Sequence, residues 1–173
     1  MNRCRPLVAL LCAAAAAAQP AATAAVQHLP RQPVTWSASL APGIPAVVAG
    51  GRFVVTVTAT IDEGWHVYGV EDRPDGPRAL RIELAPGQFF TAGKLQAPEP
   101  SRELDGAFSQ VTAFYGKTTT FRLPLTALKQ ATAGEYALAL EVSFQACDGR
   151  ICLPGRKVKL SVPVRIEAGH IEP

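Results

Sequence analysis

The sequence has little of several features that would place it in a well-known class of protein. It contains four cysteines in 173 residues, no apolar run long enough to cross a membrane, and no stripe of basic residues. A membrane-spanning helix needs roughly 20 apolar residues, so the chain is not expected to span a bilayer. Without a basic stripe, neither nucleic acid nor an anionic membrane is indicated as a partner. No Ser-His-Asp arrangement, carboxylate pair or phosphate-binding glycine loop is recognisable.

Residues 1–24 have the composition of a secretory signal peptide. Arg3 and Arg5 precede an apolar run over residues 7–18, and small residues follow at positions 22–24. A basic start, a short apolar segment and small residues before the cleavage site are typical of export signals. We therefore predict that the protein is periplasmic or secreted.

Export decides what the cysteines can do. Cys4 and Cys12 leave with the predicted signal peptide, so Cys147 and Cys152 are the only cysteines of the mature chain. In an oxidising compartment such a pair forms a disulfide unless a reductant opens it. Zinc takes about four ligands, and two cysteines with scattered histidines make a poor set, so we expect neither a metal nor a cofactor.

The mature chain has the length of one domain. Roughly 150 residues can bury a hydrophobic core without help from a disulfide. Residues 25–33 show no hydrophobic period and are predicted to form a flexible lead-in, and residues 34–173 form the domain. Strand-like segments follow one another, separated by clusters of Gly, Pro and Asp. They are VTWSASL, RFVVTVTAT, GWHVYG, RALRIEL, KTTTFRLPL, EYALALEVSFQA and RKVKLSVPVRIE.

Alternating hydrophobicity marks these segments as half-buried strands. In RFVVTVTAT the apolar residues from Phe53 to Ala59 occupy every second position. The same period places the even residues from Tyr136 to Phe144 on one face, and those from Val158 to Ile166 on another. About seven short strands without a convincing amphipathic helix predict an all-β fold, an immunoglobulin-like two-sheet sandwich.

The two cysteines flank a predicted hairpin in VSFQACDGRICLPG, at one edge of the sandwich. If the alternation of the preceding strand continues, Cys147 lies on the outward face and is exposed. A two-residue turn at Asp148 and Gly149 would set Cys147 opposite Arg150, whereas a four-residue loop over 148–151 sets the cysteines directly opposite. Directly opposed residues lie roughly 4.5 to 5.5 Å apart, within disulfide reach, so we predict the longer loop.

The residues alone leave two functions open for this disulfide. Closing so short a loop stabilises a fold by only about 2 kcal/mol in the chain-entropy model, which favours a bridge kept for its redox chemistry. The alternative is an exported β-sandwich that serves as a binding or interaction module and carries a purely structural disulfide.

Three segments resemble the N-terminal periplasmic domain of DsbD, the membrane thiol-disulfide reductase that carries electrons from the cytoplasm to exported proteins. VSFQACDGRICLPG is similar to the active-site hairpin of that domain. DEGWHVYG is similar to one of its early strands, and AFYGKTTTFRLPL to its cap loop and the strand that follows. The segments occur in the same order and cover most of the mature chain.

The resemblance implies roles for four residues. Cys147 and Cys152 would be the redox pair, and Cys152 would be the sulfur that forms mixed disulfides with partners. Phe114 and Tyr115 would belong to the cap loop, whose aromatic ring covers the disulfide until a partner docks. The activity implied is that of a protein-disulfide reductase or a component of thiol-disulfide interchange.

The sequence also departs from the family. Carboxylates precede the cap aromatics in the family, whereas this chain has Thr112 and Ala113, and Gly155 replaces a second proline. The partners implied are thioredoxin-like redox proteins and a membrane electron donor. Because the sequence ends at Pro173 without transmembrane segments, we expect another chain to supply that donor.

Overall fold

The computed structural model describes residues 32–44 and 46–168, and every regular element within them is a β-strand. The predicted signal peptide and most of the predicted lead-in lie outside the described residues. None of the described residues belongs to a helix that is long and apolar enough to cross a membrane. The strands are β1 (Val34–Leu40), β2 (Val47–Val48), β3 (Arg52–Ile61), β4 (His66–Tyr68), β5 (Arg81–Leu84), β6 (Phe90–Ala92), β7 (Ser101–Asp105), β8 (Gln110–Tyr115), β9 (Thr118–Ala127), β10 (Gly134–Phe144), β11 (Ala146–Cys147) and β12 (Arg156–Glu167).

These strands form three sheets of four. The first sheet has the order β1-β3-β9-β6, and the second has the order β2-β12-β10-β5. The third is built from shorter strands in the order β11-β4-β8-β7, and we call it the site sheet. Neighbouring strands are antiparallel, apart from the parallel pair β2 and β12.

The first two sheets enclose the core of a sandwich. The apolar residues that alternate along β3 are all buried, and so are Leu138, Leu140 and Val142 on the inner face of β10. Trp36 of β1 packs across the sandwich against Phe144 of β10, with ring centroids 5.3 Å apart. The period of two arises because each sheet buries one face, and the predicted all-β, immunoglobulin-like sandwich is confirmed.

The structure contains five strands that the sequence does not predict: β2, β6, β7 and β8 lie in segments without a predicted strand, and β11 is separate from the end of the predicted strand that contains β10. The β7 strand is the outermost strand of the site sheet, and its residues are exposed or half-buried over its full length. An edge strand with no buried face has no alternating pattern to detect. The β8 strand ends with Phe114 and Tyr115, which the resemblance places in a loop.

The prediction that Cys147 is exposed on an outward face is wrong. The β10 strand ends just before Gln145, and the chain then leaves the second sheet to enter the site sheet as β11. Gln145 occupies the break: its side chain accepts a hydrogen bond from the Arg78 amide at 2.9 Å and donates one to the Leu153 carbonyl at 3.3 Å. Ala146 and Cys147 are therefore both buried although they are consecutive.

Candidate functional site

Cys147 and Cys152 form a disulfide at the edge of the site sheet. The two residues pair as an antiparallel bridge, and their Cα atoms lie 4.2 Å apart. Between them the Asp148 amide donates to the Ile151 carbonyl at 3.2 Å, which closes a loop over residues 148–151. We call this segment the cysteine loop. The predicted four-residue loop with directly opposed cysteines is confirmed.

Asp148 fixes the shape of the cysteine loop. Its Oδ1 accepts hydrogen bonds from the amides of Arg150, at 2.9 Å, and Ile151, at 2.8 Å. The Ile151 and Arg150 amides lower the pKa of the Asp148 carboxyl, so this group is ionised at neutral pH. Gly149 adopts a φ of 83°, a conformation that glycine takes without the strain of a side chain. The Asp148 carboxylate is thus engaged by the backbone of its own loop.

The two sulfur-bearing residues differ in their access to solvent. Cys147 is 1% exposed, whereas Cys152 is partly exposed. Beyond Cys152 the chain is tied back through the Leu153 amide, which donates to the Ala146 carbonyl at 2.9 Å. The next residue, Pro154, has no amide hydrogen to continue the pairing. A thiol that approaches from solvent therefore meets Cys152 before it meets Cys147.

One face of the site sheet gathers the side chains next to the disulfide. Cys147 pairs with His66, and Tyr68 pairs with Phe114. Directly paired residues share a face, as do residues two positions apart such as His66 and Tyr68. The His66 ring lies 4.9 Å from the Phe114 ring and 5.2 Å from the Tyr68 ring. These four residues therefore form one continuous group.

Tyr115 belongs to the opposite face of the site sheet. It is 4% exposed, and its ring meets the core ring of Phe121 edge-on at a centroid distance of 5.0 Å. Its hydroxyl donates to the Pro98 carbonyl at 3.2 Å. Of the four residues that the resemblance singles out, the structure brings Cys147, Cys152 and Phe114 to one face and places Tyr115 in the core.

Tyr68 and Asp105 are site residues that sequence reasoning missed. The Tyr68 hydroxyl lies 3.1 Å from Cys147 Sγ and 3.6 Å from Cys152 Sγ. The same hydroxyl donates to Asp105 Oδ2 at 2.7 Å. The Thr112 hydroxyl lies 3.4 Å from this Asp105 oxygen. No local pattern signals the contact between Tyr68 and Asp105, because the two residues are far apart in the sequence.

The charges of this group follow from burial and hydrogen bonding. Burial acts to raise the pKa of Asp105, but hydrogen bonds from the Tyr68 hydroxyl, the backbone and Thr112 outweigh it and lower that pKa. Burial, followed by the hydrogen bond to Asp105, raises the pKa of Tyr68. Burial also lowers the pKa of His66, against the opposing charges of Asp105 and other carboxylates. At neutral pH the site therefore holds a carboxylate, a protonated phenol and a neutral imidazole.

Residues 38–163 match the family described as "Thiol:disulfide interchange protein DsbD, N-terminal". The match spans well over half of the chain. The chain belongs to this family. No curated protein matches it in sequence.

Two solved structures of N-terminal domains are similar to this one. The N-terminal domain of DsbD from Neisseria meningitidis, in the reduced form, is 16% identical with a TM-score of 0.46, over 64% of this chain and 77% of that chain. The N-terminal periplasmic domain of ScsB from Proteus mirabilis is 14% identical with a TM-score of 0.45, over 74% of this chain and 44% of that chain. Membership of the DsbD family rests on the sequence match and not on these distant likenesses.

A cleft of about 420 Å³ lies next to the cysteine loop of this DsbD-family domain, although neither cysteine lines it. Its walls include His66 from β4, Asp105 and Phe114 from the β7–β8 hairpin, and Asp148 from the cysteine loop. The cleft thus lies between β4, the β7–β8 hairpin and the cysteine loop. Within the described part of the chain, no group of three or more His, Cys, Asp or Glu side chains is arranged to hold a metal ion.

Proposed function

We propose that the chain is an exported thiol-disulfide exchange domain that passes electrons between partner proteins through the reversible Cys147–Cys152 disulfide. The observation that carries the proposal is the unequal access to the two cysteines, 1% exposure at Cys147 and partial exposure at Cys152, in a member of a thiol-disulfide interchange family. Exchange requires a thiolate to attack one sulfur in line, and access decides which sulfur is attacked. Cys152 is then the exchanging sulfur and Cys147 is the resolving one.

Bonds, electrons and protons balance in both directions of the proposed exchange. A reducing partner's thiolate attacks Cys152 Sγ, the S–S bond breaks, and the electron pair stays on Cys147 Sγ. The partner's second thiolate attacks its own sulfur in the mixed disulfide and releases Cys152, so the domain gains two electrons and two protons while the partner becomes a disulfide. In the reverse direction Cys152 attacks the disulfide of an oxidised client, and Cys147 then attacks Cys152 to release the reduced client.

The structure supports Phe114 as the candidate cap residue. Phe114 is half-buried on the same sheet face as Cys147, and its ring rests on His66, which pairs with Cys147. A partner that displaced this ring would enter the cleft next to the cysteine loop. The partners proposed are thioredoxin-like proteins, with a membrane electron donor on another chain.

The competing function is a binding module with a structural disulfide. Burial of Cys147 is the observation that favours it, because a buried sulfur resists exchange. The reduction potential separates the two functions: structural disulfides of secreted proteins lie below about −300 mV, and exchangers lie above that value.

Trapping of mixed disulfides tests the proposal directly. The variant Cys147→Ala keeps the accessible sulfur and loses the resolving one, so it should accumulate thiol-sensitive conjugates in an extract of exported proteins. The matched variant Cys152→Ala keeps only the buried sulfur and should accumulate few. Equal trapping by both variants would contradict the assigned roles, and no trapping by either would contradict exchange with proteins.

A further inference from the structure

We propose that the Tyr68 hydroxyl is the catalytic hydrogen-bond donor to the thiolate that Cys147 becomes when the disulfide opens, and that Asp105 tunes this donor by competing for its single proton. The inference rests on the proposed function, because it assigns the group that holds the leaving sulfur of that exchange.

Burial makes a charge on Cys147 costly. Cys147 is 1% exposed and Tyr68 is 2% exposed, so a charge that forms on Cys147 Sγ receives little help from water. A buried charge is costly unless a hydrogen-bond donor faces it. The Tyr68 hydroxyl is 3.1 Å from Cys147 Sγ and 3.6 Å from Cys152 Sγ, so it is closer to the sulfur that leaves. Hydrogen bonds to an ionised acceptor are also stronger than those between neutral groups.

The Tyr68 hydroxyl faces two acceptors, Asp105 and Cys147. A tyrosine hydroxyl has one proton to donate. The hydroxyl lies 2.7 Å from Asp105 Oδ2 and 3.1 Å from Cys147 Sγ, and the carboxylate is the stronger acceptor because it is charged, so in the disulfide form it takes the proton. Once Cys147 is a thiolate, two anions lie within reach of one proton. Asp105 therefore opposes the donation that the thiolate needs.

Asp105 can release the Tyr68 hydroxyl. Its other oxygen, Oδ1, accepts from the Ala107 amide at 2.8 Å, and the Thr112 hydroxyl lies 3.4 Å from Oδ2. These donors remain when the tyrosine proton turns away, so the carboxylate is not left unpaired. The hydroxyl rotates from Asp105 to Cys147 as the S–S bond breaks, and no proton is transferred. Asp105 acts through Tyr68 and is a positioning residue.

Removal of the hydroxyl is the first test. In Tyr68→Phe, reduction of the disulfide by dithiothreitol should slow about tenfold, the effect of losing one hydrogen bond to a charged group. The pKa of the Cys147 thiol in the reduced protein should rise. This pKa is measured from the ¹³Cβ chemical shift of labelled cysteine, in a protein in which serine replaces Cys4 and Cys12. Tyr136→Phe is the matched control: the Tyr136 hydroxyl donates to the Thr132 carbonyl on another part of the fold, and both readouts should stay at the wild-type values.

Removal of the competing charge is the second test, and its expected sign is opposite. In Asp105→Asn the hydroxyl is held less strongly, so reduction should be several-fold faster and the pKa of the Cys147 thiol should fall. In the Tyr68→Phe background the same substitution should give a smaller gain, because no hydroxyl is left to release. Glu103→Gln is the control for charge, because it removes a neighbouring carboxylate from the same strand. An effect that it shares with Asp105→Asn comes from the lost charge and not from the freed hydroxyl.

Two outcomes would overturn the inference. One is a Tyr68→Phe protein that is reduced at the wild-type rate with an unchanged Cys147 titration. The other is an Asp105→Asn protein that is slowed as Tyr68→Phe is, since a purely structural pair would respond with the same sign. Neither readout needs a partner protein. Opposite shifts in the two variants combined with a failure to trap conjugates would therefore support the hydrogen-bond role while contradicting the exchange function.

Discussion

Phe114 and Tyr115 follow one another on β8, yet their side chains lie on opposite faces of the site sheet. Phe114 packs against His66 on the face that carries Cys147, whereas Tyr115 packs against Phe121 in the core. The resemblance assigns both to one cap, but successive residues of a strand point in opposite directions. Only Phe114 can move away from the site without opening the core.

The two residues therefore make a matched pair of variants. Phe114→Ala should speed reduction of the disulfide by dithiothreitol, because access limits exchange, and should change the free energy of unfolding little. Tyr115→Ala should cost about 3 to 5 kcal/mol, as expected for a buried aromatic residue. Urea unfolding and the rate of reduction check both statements. A Phe114→Ala protein that loses as much stability as Tyr115→Ala with an unchanged rate would assign Phe114 to the core instead.

The sequence predicts the sandwich well because alternation reports burial wherever one strand stays in one sheet. The alternation of β10 is correct as far as Phe144, and that of β12 places Val162, Val164 and Ile166 in the core. It fails at Cys147 because the chain changes sheets at Gln145. A period has no meaning across such a break, and one of the two hydrogen bonds that mark it comes from Arg78, which is distant in sequence.

The candidate site was only partly predictable for a similar reason. The two cysteines are close in sequence, and their loop follows from turn length and disulfide geometry. Tyr68 and Asp105 are 37 residues apart, and Asp105 lies on an edge strand with no buried face. Their contact depends on the pairing of β8 with both β4 and β7, which local patterns do not contain.

The fold should not depend on the disulfide. The buried residues of the first two sheets supply the core, and the disulfide closes only a short loop at the edge of the site sheet. We expect the double variant Cys147→Ala/Cys152→Ala to remain folded, with a loss of about 2 kcal/mol in the free energy of unfolding. Chemical denaturation against the oxidised wild-type protein measures the loss. An unfolded double variant would favour the structural function of the disulfide.

The cysteine loop should set part of the reduction potential. In the reduced protein the Asp148 carboxylate can still bind the amides of Arg150 and Ile151, which keeps the two thiols near each other. Asp148→Ala frees the loop, so disulfide formation loses more chain entropy and the potential should become less negative by about 20 mV. Redox titration against glutathione measures the shift. Arg150→Ala keeps the backbone donor and should leave the potential unchanged; an equal shift in both variants would contradict the role of the carboxylate.

His66 should make the domain less stable as the solution becomes acidic. Burial lowers its pKa below 6.5, although Asp105, Asp148 and Glu103 face it and oppose that shift. The unfolded chain therefore takes up the proton first as the pH falls below about 6.5. The neutral imidazole contributes its full stabilisation above that pH. This contribution is lost as the pH falls through the pKa of His66 in the folded protein.

The variant His66→Phe keeps a ring between Phe114 and Tyr68 but cannot titrate. The free energy of unfolding, measured with urea at about pH 8 and about pH 5.5, should fall by less in the variant than in the wild-type protein. His28 and His170 are present in both proteins, so their titration cancels in the comparison. An equal fall in both would show that His66 carries the same affinity for a proton in the folded and unfolded states, and that its burial beside Cys147 has no energetic consequence for pH dependence.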